Sequence, residues 1–212
     1  MKFTNLIIIS ILVLLNNLIY INLQAQINNG IEVKVGNLLI TSIDVQNEII
    51  TNLVVGKKEV TQENINNSKN YAVKNLISKS IKKSEIDKYQ IEDYREKDLQ
   101  NYILNVAKKL NTDQNGLKEI FKQNNIDYQV FIKKYEIELL WNTLIYKLYR
   151  SQTNINLVEV DNEVKKFREN KSAEEIKKLK EDILNVKREK KLNLFSRSHF
   201  SSLENTVVID FQ

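Results

Sequence analysis

Residue types that carry chemistry are scarce in this chain. His199 is its only imidazole, a group that could act as a base, a metal ligand or a pH sensor. It lies on an apolar stripe between Ser198 and Phe200, and a catalytic base needs a nucleophile beside it. The stripe therefore predicts a ring packed between helices with its nitrogens satisfied. Glu174 and Glu175 are neighbours in sequence, so on a helix they point to different sides, whereas paired acid–base work needs carboxylates that converge in a cleft. The chain has no Cys, which removes disulfides, thiol catalysis and Cys-based zinc sites together. No cluster has metal-ligand spacing, and no Gly-rich loop could cradle a phosphate. These residues predict a binding protein: not an enzyme, with no catalytic residue, no metal and no cofactor.

One feature points to a function. The aromatic side chains Tyr128, Phe131, Tyr135, Trp141, Tyr146 and Tyr149 follow one another in a single stretch. An aromatic stripe at helical spacing serves first as core. Part of this one could line a client-binding cradle, because aromatic and aliphatic patches give modest, reversible affinity without sequence specificity.

The elements that must position these side chains are mostly helical. The chain has no Pro and only four Gly, which favours long helices joined by Asn-rich and Asp-rich turns. At the start, Ile31, Val33 and Val35 alternate with Glu32 and Lys34, the period of a strand with one wet face. Gly36-Asn37 reads as a hairpin turn, with Leu38 to Ile40 as the return strand. Thr41 or Ser42 can cap a helix whose first turn holds Asp44, where a carboxylate suits the positive helix end. Gly56 to Asn70 is polar and aperiodic and reads as a loop.

Val73, Leu76, Ile77 and Ile81 share one helical face. Leu99, Tyr102, Ile103, Val106, Ala107 and Leu110 keep the same spacing for three turns. Thr112 can cap a short helix carrying Leu117, Ile120 and Phe121, in which Gly116 costs about 1 kcal/mol relative to Ala. Asp127 can cap a long helix from Tyr128 to Tyr149 that is apolar on nearly all sides and so packs centrally. After a loop at 151–156, Val160 to Val164 begins another helix. From Ala173 to Lys191 the sequence is heavily charged, with a narrow stripe of Ile176, Leu179, Ile183 and Val186 that suits a surface helix. Leu192, Phe195, His199 and Leu203 continue that stripe.

Val207, Ile209 and Phe211 alternate as a closing strand. An isolated hairpin is marginal in water and a lone strand cannot satisfy its own backbone. Pairing of the two ends solves both problems. The expected fold is thus mainly α, a multi-helix bundle with a small β-sheet made by the N-terminal hairpin and the C-terminal strand.

Residues 1–25 have the parts of a secretory signal. Lys2 precedes the apolar run Leu6 to Leu15, and the small residue Ala25 offers a cleavage point. The run is short of the roughly 20 apolar residues that span a bilayer, and Asn16 and Asn17 interrupt its extension. Cleavage after Ala25 leaves a chain outside the cytoplasm with no stable membrane span; a retained anchor is the alternative. Losing Lys2 leaves 31 Lys and Arg against 27 Asp and Glu, a charge of +4. The cations alternate with carboxylates along the chain, whereas a nucleic-acid footprint would cluster them on one face. No nucleic acid is expected as a partner.

From Val35 through Gly36-Asn37, Leu38-Leu39-Ile40-Thr41-Ser42 and Ile43-Asp44-Val45, the sequence resembles the opening of the SurA family of periplasmic outer-membrane-protein chaperones. The likeness continues through Val73 to Ile81, Ile103 to Asn111, Asn125-Ile126-Asp127, Leu140-Trp141, Val160 to Val164 and Lys191 to Phe211. Each piece is degenerate, and specificity comes from their order. The resemblance implies an N-terminal chaperone domain over 26–164, with a helix and strand over 165–212 that pack back on it.

Family members carry parvulin-type prolyl isomerase domains where this chain has only Lys165 to Glu174, so no isomerase domain fits. The resemblance then implies a periplasmic, ATP-independent holdase without isomerase activity. Its partners would be unfolded outer-membrane protein precursors and the outer-membrane assembly machinery. An alternative is a periplasmic scaffold that docks one specific partner through its charged helix 173–191.

Overall fold

A computed structural model describes residues 30–212 apart from 168 and 170. The apolar leader and its cleavage point after Ala25 lie outside the described residues. The chain is mainly α with one small antiparallel sheet.

Strands β1 (Ile31–Val35) and β2 (Leu38–Thr41) form the hairpin. Gly36 sits at φ +56° in its turn, a left-handed conformation that only a residue without Cβ adopts freely. Val33, Val35 and Ile40 are buried, whereas Lys34 and Leu39, paired across the ladder, face outward. Strand β3 (Ile209–Phe211) pairs with the other side of β1, Val33 opposite Phe211 and Val35 opposite Ile209, giving the order β2-β1-β3. Gly36 N–H donates to the Val208 carbonyl at 2.9 Å and Gln212 N–H to that of Glu32 at 3.1 Å. The two ends of the described chain therefore close on each other, as the alternation at each end predicts.

Helix α1 (Ser42–Val55) starts at a capping box: Thr41 Oγ1 accepts from Asp44 N–H at 3.2 Å, and Asp44 Oδ2 accepts from Thr41 N–H at 2.9 Å. Helix α2 (Gln62–Lys88) corrects the loop expected through Asn70. Thr61 caps it, and its first two turns are exposed and polar, tied by local bonds such as Gln62 to Asn66 at 2.9 Å. A helix with no buried side has no apolar period to read. Ile65 is the residue of these turns that packs against the core.

Helix α3 (Glu96–Lys109) follows, then α4 (Gln114–Gln123). Asp113, not Thr112, caps α4, its carboxylate accepting from Gly116 N–H at 2.8 Å. Gly116 is also a close approach: a Cβ there would lie 1.8 Å from Thr112 Oγ1. Helix α5 (Tyr128–Tyr149) is capped by Asp127 and leads through a 3-10 turn (Arg150–Gln152) to α6 (Leu157–Lys165). Helix α7 (Ala173–Glu204) is continuous through Lys191 and begins at a second capping box, Ser172 with Glu175.

Three apolar clusters hold these elements. Phe121, Leu117, Ile103 and Phe131 join α3, α4 and α5. Val33, Val35, Ile40, Ile49 and Ile81 join the sheet to α1 and α2, with Phe200, Leu203 and Val207 against them. Trp141, Leu144 and Ile86 join α5 to α2, with Leu192, Phe200 and Leu203 on the far side. The C-terminal segment thus packs on two of the three clusters, and α5 supplies two. Among the described residues, no helix is long and apolar enough to cross a membrane.

Candidate functional site

A wide surface cleft lies where the C-terminal end of α5, the turn after it and the start of α6 meet α7. It encloses about 580 Å³. Four anchors fix its walls. Tyr149 stacks on Phe195 of α7, ring centres 4.9 Å apart and nearly parallel. Thr153, buried, donates its hydroxyl to the Arg150 carbonyl at 2.7 Å, and Lys191 Nζ donates to the Asn154 carbonyl at 2.5 Å. Asn156 caps α6 by accepting from Val158 N–H at 3.0 Å. Ion pairs Lys180–Asp161 at 2.5 Å and Lys187–Glu163 at 2.6 Å then hold α6 on α7.

The floor is apolar. Tyr146 and Leu157 are 51% and 56% exposed there, beside the half-buried Ile155, Leu184 and Leu192. Two arginines also line the cleft, Arg150 from the turn after α5 and Arg188 from α7. Arg150 lies 5.9 Å over the Tyr146 ring. No Asp or Glu lines the cleft, and neither Arg has a carboxylate within ion-pair distance among the described residues. A second opening follows the same α5–α7 seam past Leu192 to Asn142 and Ser196.

The six aromatic candidates do not form one surface. Phe131 and Trp141 are buried, which corrects their expected place in a client-binding cradle. Phe131 meets Phe121 edge-on at 4.8 Å, and Trp141 donates Nε1–H to Ser196 Oγ at 2.8 Å. Tyr135 stacks on Tyr102 with centres 3.5 Å apart. Tyr128 leans on Phe121, and Lys118 lies 5.4 Å over its ring. Tyr149 is half-buried in the α5–α7 seam. Tyr146 alone of the six is exposed in the cleft. The cleft residues that sequence reasoning missed are Arg150, Leu157, Leu184, Arg188 and Leu192. One signal was present: Arg is scarce, five against 27 Lys, and two of the five line this space.

His199 is packed as its stripe predicts. Its Nε2 faces Glu85 Oε1 at 3.2 Å and its Nδ1 faces the Tyr149 hydroxyl at 2.8 Å. Both ring nitrogens thus have a hydrogen-bond partner, with donor and acceptor roles that follow the tautomer. The ring ties α7 to α2 and α5 at once. Glu85 is shared with Lys88 at 3.3 Å.

A second polar centre was not read from the sequence. Glu48 on α1 is 2% exposed and lies between Lys79 of α2, at 3.1 Å, and Lys134 of α5. Asn52 donates to it at 3.1 Å. Burial alone pushes the Glu48 carboxyl up, but the charges of Lys134 and Lys79 and the bonds from Lys134 and Asn52 together carry it below its ordinary value. Burial and the like charge of Lys79 lower Lys134, against the pull of Glu48. The neighbouring Tyr102 hydroxyl is pushed up to about 12, by burial first and then by Tyr135 and Glu48. A cavity of about 160 Å³ adjoins this centre, lined also by Tyr102 and Tyr135. Among the described residues, no group of three or more His, Cys, Asp or Glu is placed to hold a metal ion.

Compared with models of known protein families and with curated proteins, the chain matches none.

Proposed function

We propose that this protein is an ATP-independent holdase of the periplasm that shelters unfolded outer-membrane protein precursors from aggregation and has no prolyl isomerase activity. The observation that carries this reading is the α5–α6–α7 cleft, in which Tyr146 and Leu157 stand exposed over about 580 Å³ on firmly anchored walls. The order of SurA-like segments along the sequence supports the choice of client. Precursors of outer-membrane barrels expose alternating apolar strands that otherwise pair edge to edge. A cleft of this kind covers a few such side chains at a time. Release without ATP requires modest affinity, and micromolar binding already corresponds to about 8 kcal/mol.

The test is light scattering of a denatured outer-membrane protein diluted with and without the purified protein. Suppressed scattering supports the reading, and equal scattering overturns it. Recovery of one stoichiometric partner from a periplasmic extract, with no unfolded clients, would favour the scaffold alternative. Part of the charged face that alternative would use is engaged within the chain, through Lys180–Asp161 and Lys187–Glu163.

A further inference from the structure

The holdase reading explains the apolar floor of the cleft but not its charge. Two cations of α7 that face α6 are paired with carboxylates, Lys180 with Asp161 and Lys187 with Glu163 and Glu159. Arg188, the next residue, lines the cleft, and among the described residues neither it nor Arg150 has a carboxylate within ion-pair distance. Repulsion between two guanidiniums that share an acid-free cleft is relieved when an anion sits between them. Arg is also the cation suited to that task, because its planar fork binds a carboxylate by two parallel bonds while its weakly hydrated face rests on an aromatic ring. Arg150 already stands over Tyr146.

Resting on the holdase reading, we propose that the cleft selects extended client segments in which an Asp or Glu side chain lies beside large apolar residues. Arg150 and Arg188 hold the carboxylate. Tyr146, Leu157, Leu184 and Leu192 cover the neighbouring apolar side chains. The carboxylate belongs to a side chain within the client rather than to its C-terminus, because a holdase must take segments from the middle of an unfolded chain. The cleft volume is that of an ordinary ligand site, which holds a few side chains of such a segment.

The experiment is fluorescence anisotropy of labelled nine-residue peptides on the purified protein at low salt. One peptide carries a central Asp between Val, Tyr and Leu, the second has Asn in its place, and both have amidated C-termini. The Asp peptide should bind about tenfold more tightly, the difference expected of a charge-assisted pair over a neutral one. The preference should vanish in Arg150→Gln/Arg188→Gln and weaken in salt. Both positions are exposed, so the double variant should keep the wild-type melting temperature; Arg188→Gln alone, with roughly half the preference lost, serves if it does not.

Equal binding of the two peptides overturns the proposal, as does a preference that survives in the double variant. A free C-terminus that raises affinity more than the central Asp also overturns it, in favour of a chain-end site. The light-scattering assay separates the two readings. Suppression of aggregation that is indifferent to the Arg substitutions leaves the holdase and removes the acidic selectivity, whereas selective peptide binding without suppression leaves the site and removes the holdase.

Discussion

Trp141 on α5 donates its indole N–H to the hydroxyl of Ser196 on α7 at 2.8 Å. The ring is 2% exposed and lies edge-on to Phe200. A residue whose type suggests a client contact is instead the peg on which the C-terminal helix hangs. Ser196→Ala leaves that N–H buried without a partner, which costs about 1–3 kcal/mol. Trp141 is the only Trp, so its emission reports this contact alone. The expected outcome is a lower melting temperature with altered Trp141 emission in the folded state. A wild-type melt would mean that the bond contributes nothing to holding α7.

The Glu48 centre makes stability depend on acid. The folded carboxyl titrates below its ordinary value of about 4.5 because Lys134 and Lys79 outweigh the opposing effect of burial. A carboxyl depressed on folding stabilises fully above the unfolded pKa and loses that contribution as pH falls through the folded one. Glu48→Gln at neutral pH leaves Lys79 and Lys134 facing each other with no anion between them, a loss of about 3–5 kcal/mol typical of a broken buried pair. Denaturant unfolding at neutral pH and near pH 3 checks both points: the gap between wild type and variant should narrow in acid. A gap that stays constant would show that the carboxylate charge is not what stabilises the centre.

Removing residues 204–212 deletes β3 and the packing of Val207 and Ile209 on the sheet cluster. Partial burial of two β-branched side chains corresponds to about 2–4 kcal/mol at the usual value per buried residue. The melting temperature should fall sharply, and amide exchange should speed up along the side of β1 that β3 covers, with the pairing to β2 less affected. An unchanged melt would show that the terminal strand is an ornament on a hairpin stable without it.

How legible the fold was depended on whether an element has one wet side. The strands at both ends and helix α3 alternate or repeat cleanly, because each has a packed and a wet side, as Ile103, Val106 and Leu99 show on α3, whereas α5 was legible from its length and its apolar residues on nearly all sides. The first turns of α2 bury no face, so Gln62 to Asn70 read as loop. The cleft was harder still. Tyr146 is one of six similar residues on one helix, and its exposure is decided by where α7 crosses. Phe131 and Trp141 have the same sequence signature, but their helix turns them under α3, α4 and α7. Glu48 with Lys79 and Lys134 is a relation across three elements, and no spacing within one helix encodes it.

The ends of the helices hold the clearest opportunity for stabilisation. Lys57, Gln90, Asn111 and Asn125 follow α1, α2, α3 and α4, each with φ between 52° and 58°. The residue after each closes the helix by donating its N–H to the carbonyl five residues back: Lys58 to Leu53, Ile91 to Ile86, Thr112 to Ala107 and Ile126 to Phe121, all at 2.8–3.1 Å. Gly normally occupies this left-handed position, yet the chain has only four Gly and spends none there. All four side chains are exposed, so replacing them removes little packing. A long side chain in the left-handed region costs about 1–2 kcal/mol, and Asn costs less because its short amide tolerates that region. Gln90→Gly and Lys57→Gly should therefore each raise stability by about 0.5–1 kcal/mol after the unfolded chain's extra freedom is subtracted. Asn111→Gly and Asn125→Gly should gain less. Thermal melts of the four single variants test the order, and a larger gain at the two Asn positions would show that side-chain strain is not what separates them.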